Sequence, residues 1–357
     1  MARDFGVSGF VVGRINWAYM LPYGLVALVY GPLTRKFDNK HIAIASLLMF
    51  SLFSFLSGCV LNYHALFVFR FLVGIFAAAI TPLSLIYIAD HAHALGRGRA
   101  VGLFFSATFI ADLLGLFLSG MVSWRVMFFI PAALGFMTAY LTMRHFPKTL
   151  VGKSTTSSRY LQALAQPQIF RVFVYIFMIS LLYHGVRQWL GVYFSQELMM
   201  KQFFVSAILT IASLAGIFGE AFGGFLSDRQ GRISTLKTGV FLMTLSVFML
   251  IFVRSLAVLP FLMLLWGFGW TVNHAGLSTH LMDLNKEFIK EISSLNSSVR
   301  FVAGGLGVVM GGFIMQKSFI FGFLVASSIL FLMYFYTDRI LLAKNVVAPN
   351  AEEICQS

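Results

Sequence analysis

The sequence predicts an all-α polytopic membrane protein, and three observations carry that reading. Of 357 residues, 59% are hydrophobic, 16% aromatic and 11% charged, with a mean hydropathy of +0.85. A soluble domain carries about 25% charged residues, so this chain cannot cover itself with a water-compatible surface. Apolar stretches of about 20 residues, long enough to cross ~30 Å of hydrocarbon, follow one another along nearly the whole chain. Lys and Arg gather in alternate connecting segments, as they do in proteins that thread a bilayer repeatedly. Scarce charge and two cysteines, Cys59 and Cys355, exclude a disordered chain, a coiled coil and a disulfide scaffold.

About eleven crossings can be placed in order. The first, 13–30, ends at a basic loop; the second and third are 42–61 and 65–88, the third carrying Arg70. The fourth, 100–120, has Ala107, Ala111, Gly115 and Ser119 at four-residue spacing, a small-residue face that lets another helix approach. The fifth, 125–144, opens on Trp124-Arg125, and the sixth, 170–194, carries Tyr183, His184 and Arg187. In the seventh, 203–226, Glu220 lines up with Ala212, Gly216 and Gly224, which predicts a close-packed seam. The eighth is 234–253; the ninth, 257–281, holds Asn273, His274 and His280; the tenth, 296–316, holds Arg300; the last is 319–341. Their length and glycine content argue for helices over the short alternating strands of an outer-membrane barrel.

With the N-terminus placed outside, Lys and Arg split roughly 17 to 6 in favour of the cytoplasmic segments, so the C-terminus is expected inside. The net charge of +13 is then mostly topology. Basic residues spread over loops argue against nucleic-acid binding. The hydrophilic break at 147–169, with Pro147, Gly152, five consecutive Ser/Thr and Pro167, reads as a cytoplasmic linker. It divides the chain into a bundle over 1–146, with five helices, and a six-helix bundle over 170–342, followed by a polar tail at 343–357.

Two loops, six helices apart, repeat one pattern. After the seventh stretch stands Gly224-Phe225-Leu226-Ser227-Asp228-Arg229-Gln230-Gly231-Arg232, and after the first stands Gly31-Pro32-Leu33-Thr34-Arg35-Lys36-Phe37-Asp38-Asn39-Lys40. The former is a full match to the G-x-L-x-D-R-x-G-R loop of major facilitator superfamily transporters and the latter a worn copy, so the chain resembles that family over nearly its whole length. Arg70-Phe71-Leu72-Val73-Gly74 is similar to the R-x-x-x-G pattern of the family's fourth helix, and Trp124-Arg125 with Phe128 to the entry of its sixth. Where antiporter-type members carry Gly-Pro, this chain has Gly115-Leu116, a departure that weakens an antiport reading.

The resemblance implies two bundles of six helices. About 54 residues separate the sixth stretch's start near Gln168 from Gly224, whereas about 30 precede Gly31, a deficit of one crossing. The chain is therefore expected to match helices two to twelve of twelve. Met1 to Ser8 resembles the outer loop after helix one; Met1 as an internal methionine taken for a start, and a genuine eleven-helix product, are the two alternatives.

Ionisable groups expected at depth are Arg70, Asp112, Arg187, Glu220 and Arg300, with His184, His274 and His280. A charge at the bilayer centre costs at least ~2.5 kcal/mol, so each needs a partner, a wet cavity or a shifted protonation state. Asp112 is the most central, either a proton-accepting or substrate-binding carboxylate or a packing residue. Glu220 is either a hydrogen-bonding seam residue or a coupling group. Arg70 either snorkels or, by its match to the family pattern, takes part in proton coupling. Arg187 faces a central route if its rotation allows, and Arg300 is read as a snorkelling anchor. Asn273, His274, Tyr183 and His184 are candidates for a polar cavity lining. Asp90, His91 and His93 are read as a solvated helix end instead of a metal site.

In the family the loop carboxylate meets a cytoplasmic helix N-terminus of the opposite half. Asp228 is expected to do so near Arg99, whereas its counterpart Arg35, a cation, is expected to turn to Glu287 or Glu291. No G-x-x-x-x-G-K-[ST] signature occurs. The resemblance thus implies a monomeric secondary transporter in the inner membrane, moving a small organic molecule on a proton or solute gradient, export or exchange favoured, with no cofactor or metal. A non-transporting sensor or remnant is the alternative; an embedded enzyme would need a nucleophile or metal cluster at one depth, and the His, Asp and Glu residues are scattered singly.

Overall fold

The structure is a computed structural model, and it describes residues 1–34, 36–91, 97–147, 159–284 and 288–342. Arg35, His93, Glu287, linker residues 148–158 and the 343–357 tail lie outside the described residues. Two short helices, α1 (Ala2–Phe5) and α2 (Gly9–Gly13), lead into α3 (Ile15–Leu33), α4 (Asn39–Cys59), α5 (Tyr63–Ala77), α6 (Ile80–His91), α7 (Arg97–Ser119) and α8 (Val126–His145). After α9 (Tyr160–Ala165) come α10 (Pro167–Val192), which ends in a π-helical turn at Tyr193–Glu197, then α11 (Gln202–Gln230) and α12 (Arg232–Met249). The chain finishes with α13 (Leu259–Leu284), α14 (Ile289–Met315) and α15 (Phe319–Leu342). No strand occurs among the described residues.

Each apolar stretch of the sequence lies on helix, the third shared between α5 and α6. Among the described residues, seven helices are long and apolar enough to cross a membrane by length and composition. Phenylalanines such as Phe218, Phe261 and Phe313 point outward, more than half exposed, a surface that suits acyl chains and not water.

Helix ends follow from local chemistry. The Asp38 side chain accepts from the Lys40 amide at 2.9 Å and starts α4, and Asn62 accepts from the Ala65 amide at 2.8 Å and starts α5. Arg125 donates to the carbonyls of Gly58 and Val60, 2.8 Å each, satisfying acceptors that the end of α4 leaves open. Gly231 adopts φ +87°, where a side chain would be strained, and lets α11 turn sharply into α12.

Two apolar cores result. The larger runs through α10, α12, α13, α14 and α15 around Trp189, Trp266, Met243 and Phe323; the smaller joins α3, α4, α5 and α6 around Tyr23, Tyr30 and Ala78. Glycines set the closest crossings, because without a hydrophobic drive inside lipid, helices associate through backbone approach. A Cβ on Gly307 would sit 2.1 Å from the Leu181 carbonyl, and one on Gly267 1.9 Å from that of Ala212.

The expected seam on α11 is met at Ala212 and Gly216, which face Gly267 and Thr271 of α13, and shifts face below them. Gly219 and Gly223 pack closely on α13, but a Cβ on Gly224 would meet nothing within 4 Å. The expected small-residue face of α7 is not covered: Ala107 and Ala111 are exposed and a Cβ on Gly115 would meet nothing. Close approach falls one turn later, where a Cβ on Gly120 would stand 2.6 Å from Ser206 of α11. The two sets of helices meet along α3 against α14 and α7 against α11.

Candidate functional site

The meeting of α7, α10 and α11 encloses a cavity of about 300 Å³, bordered by Asn16 of α3, Asp112, His184, Arg187, Gln188 and Trp266. Its main feature is an ion pair. Arg187 Nη2 donates to both carboxylate oxygens of Asp112, at 2.8 and 3.1 Å, and Ser213 donates to Asp112 Oδ2 at 2.8 Å. The pair is one-third to one-half exposed, so it borders the cavity and is not sealed in the core. Beside it Gln188 accepts from the Asn16 amide and donates to the Gly13 carbonyl at 3.3 Å, tying α10 to α2 and α3.

One turn from Arg187 begins an aromatic wall. Tyr183 stacks on Trp270 with ring centroids 3.8 Å apart and on Trp266 at 5.1 Å, and His184 meets Tyr183 and Trp270 edge-on. Behind the wall lies a second polar layer. His274 Nδ1 stands 3.0 Å from Glu220 Oε1, each about 30% exposed, and Arg300 lies over Trp270 at 5.9 Å while donating to Asn296 at 2.8 Å.

Helix α11 connects the layers through a polar file that the sequence reading passed over. Ser206, Ser213, Glu220 and Ser227 recur every seven residues, reaching Ser119 at 2.8 Å, Asp112 at 2.8 Å, His274 at 3.0 Å and Thr279 at 2.9 Å. A seven-residue repeat on a 3.6-residue helix drifts about 20° per repeat, which carries the file from α7 to α13 as it descends. Ser206 also donates to the Leu116 carbonyl, closing one end of the α7–α11 contact.

The sequence candidates therefore separate. Asp112, Arg187 and His184 share the cavity, and Glu220 and His274 share the second layer. Asn273 does not line the cavity: it is 1% exposed and donates to Tyr175 at 2.8 Å and to the Leu236 carbonyl at 3.1 Å, a link between α13 and its neighbours. Arg300 stands about three turns into α14, which begins at Ile289, and is held there by Asn296 and Trp270. Arg70 packs its guanidinium over Tyr19 at 4.6 Å and Phe128 at 5.6 Å instead of reaching the surface. Four residues on, Gly74 allows α5 to touch the Tyr19 carbonyl, so both ends of R-x-x-x-G address α3.

The repeated loops are partly visible. Asp228 pairs with Arg232 of its own loop at 2.8 Å, and Arg229 covers Phe225 at 4.6 Å. The side chains around Arg99, the expected partner of Asp228, lie outside the described residues. Lys36 is exposed, Gly31 lies inside α3 two residues before its end at Leu33, and Glu291 accepts weakly from the Arg159 amide at 3.4 Å. Among the described residues no three His, Cys, Asp or Glu side chains gather as metal ligands.

At the end of the molecule that carries Ser119, Trp124 donates to Asp4 at 2.5 Å and packs on Phe5, fastening α1 to the start of α8. The indole N–H holds the Asp4 carboxyl below its ordinary value, helped by the terminal amine.

A family model described as Major Facilitator Superfamily matches residues 1–308. The uncharacterized MFS-type transporter YceJ of Bacillus subtilis (strain 168) is 23% identical over 346 residues, covering 92% of this chain and 87% of its own length. Multidrug resistance protein 2 of the same organism is 21% identical, over 91% of this chain and 84% of its own. Among solved structures, a bacterial homolog to the human lysosomal transporter Spinster, in an inward-facing and unoccupied conformation, superimposes with a TM-score of 0.77 at 15% identity, covering 96% of this chain and 92% of that one.

Proposed function

The chain belongs to the Major Facilitator Superfamily, and from that membership we propose that it is a secondary active transporter of a small organic solute, proton-coupled, in which the bundles over 1–146 and 170–342 rock about the Asp112–Arg187 cavity. The observation that carries this is the ion pair itself. It joins α7 of one bundle to α10 of the other across the cavity wall, so its making or breaking changes the contact that alternating access must change. Protonation of Asp112 removes one charge, frees Arg187 and Ser213, and loosens α7 from α10 and α11.

Two further features support the reading. The contacts Ser119–Ser206, Gly120–Ser206 and Phe10–Trp189 gather at one end, which the Lys and Arg distribution assigns to the outside. Asp228 pairs with Arg232 inside its own cytoplasmic loop, which ties that loop to itself. Similarity to a multidrug resistance protein favours export or exchange as the direction.

The test is flux of a solute panel into and out of proteoliposomes, with and without a pH gradient, for the protein and for Asp112→Asn. Gradient-driven flux in the former, and gradient-independent or lost flux in the latter, is the expected result. Absence of flux for every compound class would replace transport with the sensor reading.

A further inference from the structure

At membrane depth two guanidiniums lack a carboxylate hydrogen-bond partner among the described residues: Arg70, which lies over the rings of Tyr19 and Phe128, and Arg300. Among the described residues Asp112 spends both oxygens on Arg187, and Glu220 gives Oε1 to His274. Arg300 makes no hydrogen bond to Glu220; its Nε is taken by Asn296, and no protein group among the described residues accepts from its buried Nη2. Glu220 Oε2 is likewise buried without a protein donor. A guanidinium N–H away from bulk water and without an acceptor is costly, and the cost is removed when an anion supplies one. The position is not isolated. His184, which borders the cavity, packs against α14 at Gly304, one turn from Arg300.

We infer that the Arg300 layer is a binding subsite for the carboxylate of an organic anion, with the molecule's apolar body against Trp270 and the Tyr183 stack. This rests on the transporter reading and narrows its substrate class. Arg300 supplies the charge-assisted donor, and Asn296 holds the guanidinium so that Nη2 stays free. The aromatic wall supplies an apolar surface that asks nothing further of the ligand's shape. A cationic ligand offers the Arg300 guanidinium no acceptor and adds like charge beside it.

Three probes of one skeleton test this on the purified full chain in nanodiscs: 3-phenylpropionate, 3-phenylpropanol and 3-phenylpropylamine, read by saturable quenching of tryptophan fluorescence. The carboxylate is expected to bind at least about tenfold tighter than the alcohol, the size of one charge-assisted hydrogen bond, and the amine weakest. Arg300→Gln should abolish the preference for carboxylate over alcohol, and Arg300→Lys should keep part of it, while Arg70→Gln should leave it unchanged. Equal binding of carboxylate and alcohol by the unaltered protein overturns the inference, whatever the variants do. So does an unchanged preference in folded Arg300→Gln. Carboxylate binding without flux of any solute would retain the subsite and remove the transport reading; flux of neutral or cationic solutes without carboxylate preference would do the reverse.

Discussion

Asp112 of α7 and Arg187 of α10 stand 2.8 Å apart although 75 residues separate them in the chain, and each is the other's ionic partner. Removing one leaves a charge beside hydrocarbon with a single compensating neighbour, so Asp112→Asn and Arg187→Gln should each destabilise the protein by about 1–2 kcal/mol, a value reduced for their partial exposure. The double substitution should recover much of that loss. Thermal unfolding in detergent measures it, and additive losses in the double variant would contradict the pairing.

Gly267 and Gly224 lie on helices that touch, yet their substitution should differ sharply. A Cβ on Gly267 would stand 1.9 Å from the Ala212 carbonyl, which neither helix can yield without parting, whereas one on Gly224 meets open space. Gly267→Ala should cost about 1–3 kcal/mol and Gly224→Ala close to nothing. The same unfolding assay decides.

Asp4 is held on Trp124, and its lowered carboxyl value gives the contact a pH window. A group whose folded value is depressed contributes above its unfolded value, about 3.9 for aspartate, and loses that contribution as pH falls through the lowered folded value. The Trp124 emission, taken as the difference from Trp124→Phe, should be flat down to the ordinary carboxylate range and change only below it. In Asp4→Asn that transition should vanish.

Asp228 is three-quarters exposed and paired with Arg232, so Asp228→Asn should change unfolding by less than about 0.5 kcal/mol. Its effect should fall on the cycle instead: transport rate and cysteine accessibility of the cytoplasmic side should shift, because the carboxylate is expected to serve the opposite conformation. Arg35→Asp, which restores a carboxylate to the worn loop, should shift them the other way. Unchanged rates and accessibility in both variants would dismiss the lock.

Much of this was written in one dimension. Hydropathy over windows of about 20 residues locates helices because lipid demands that each segment satisfy its own backbone, and the G-x-L-x-D-R-x-G-R loop with its worn copy points to the family because a tight basic turn leaves a local signature. The seven-residue recurrence of Ser206, Ser213, Glu220 and Ser227 was equally legible, hidden only because small polar residues read as packing. What needed the tertiary structure was rotation and pairing. No local rule turns Arg187 toward Asp112, points Asn273 away from the cavity into a buried link with Tyr175, or leaves Gly115 uncovered while Gly120 meets Ser206. Helix formation is satisfied by hydrogen bonds within a segment, so sequence alone determined the crossings; which faces meet depends on close packing between segments far apart in the chain, and only the folded bundle decides it.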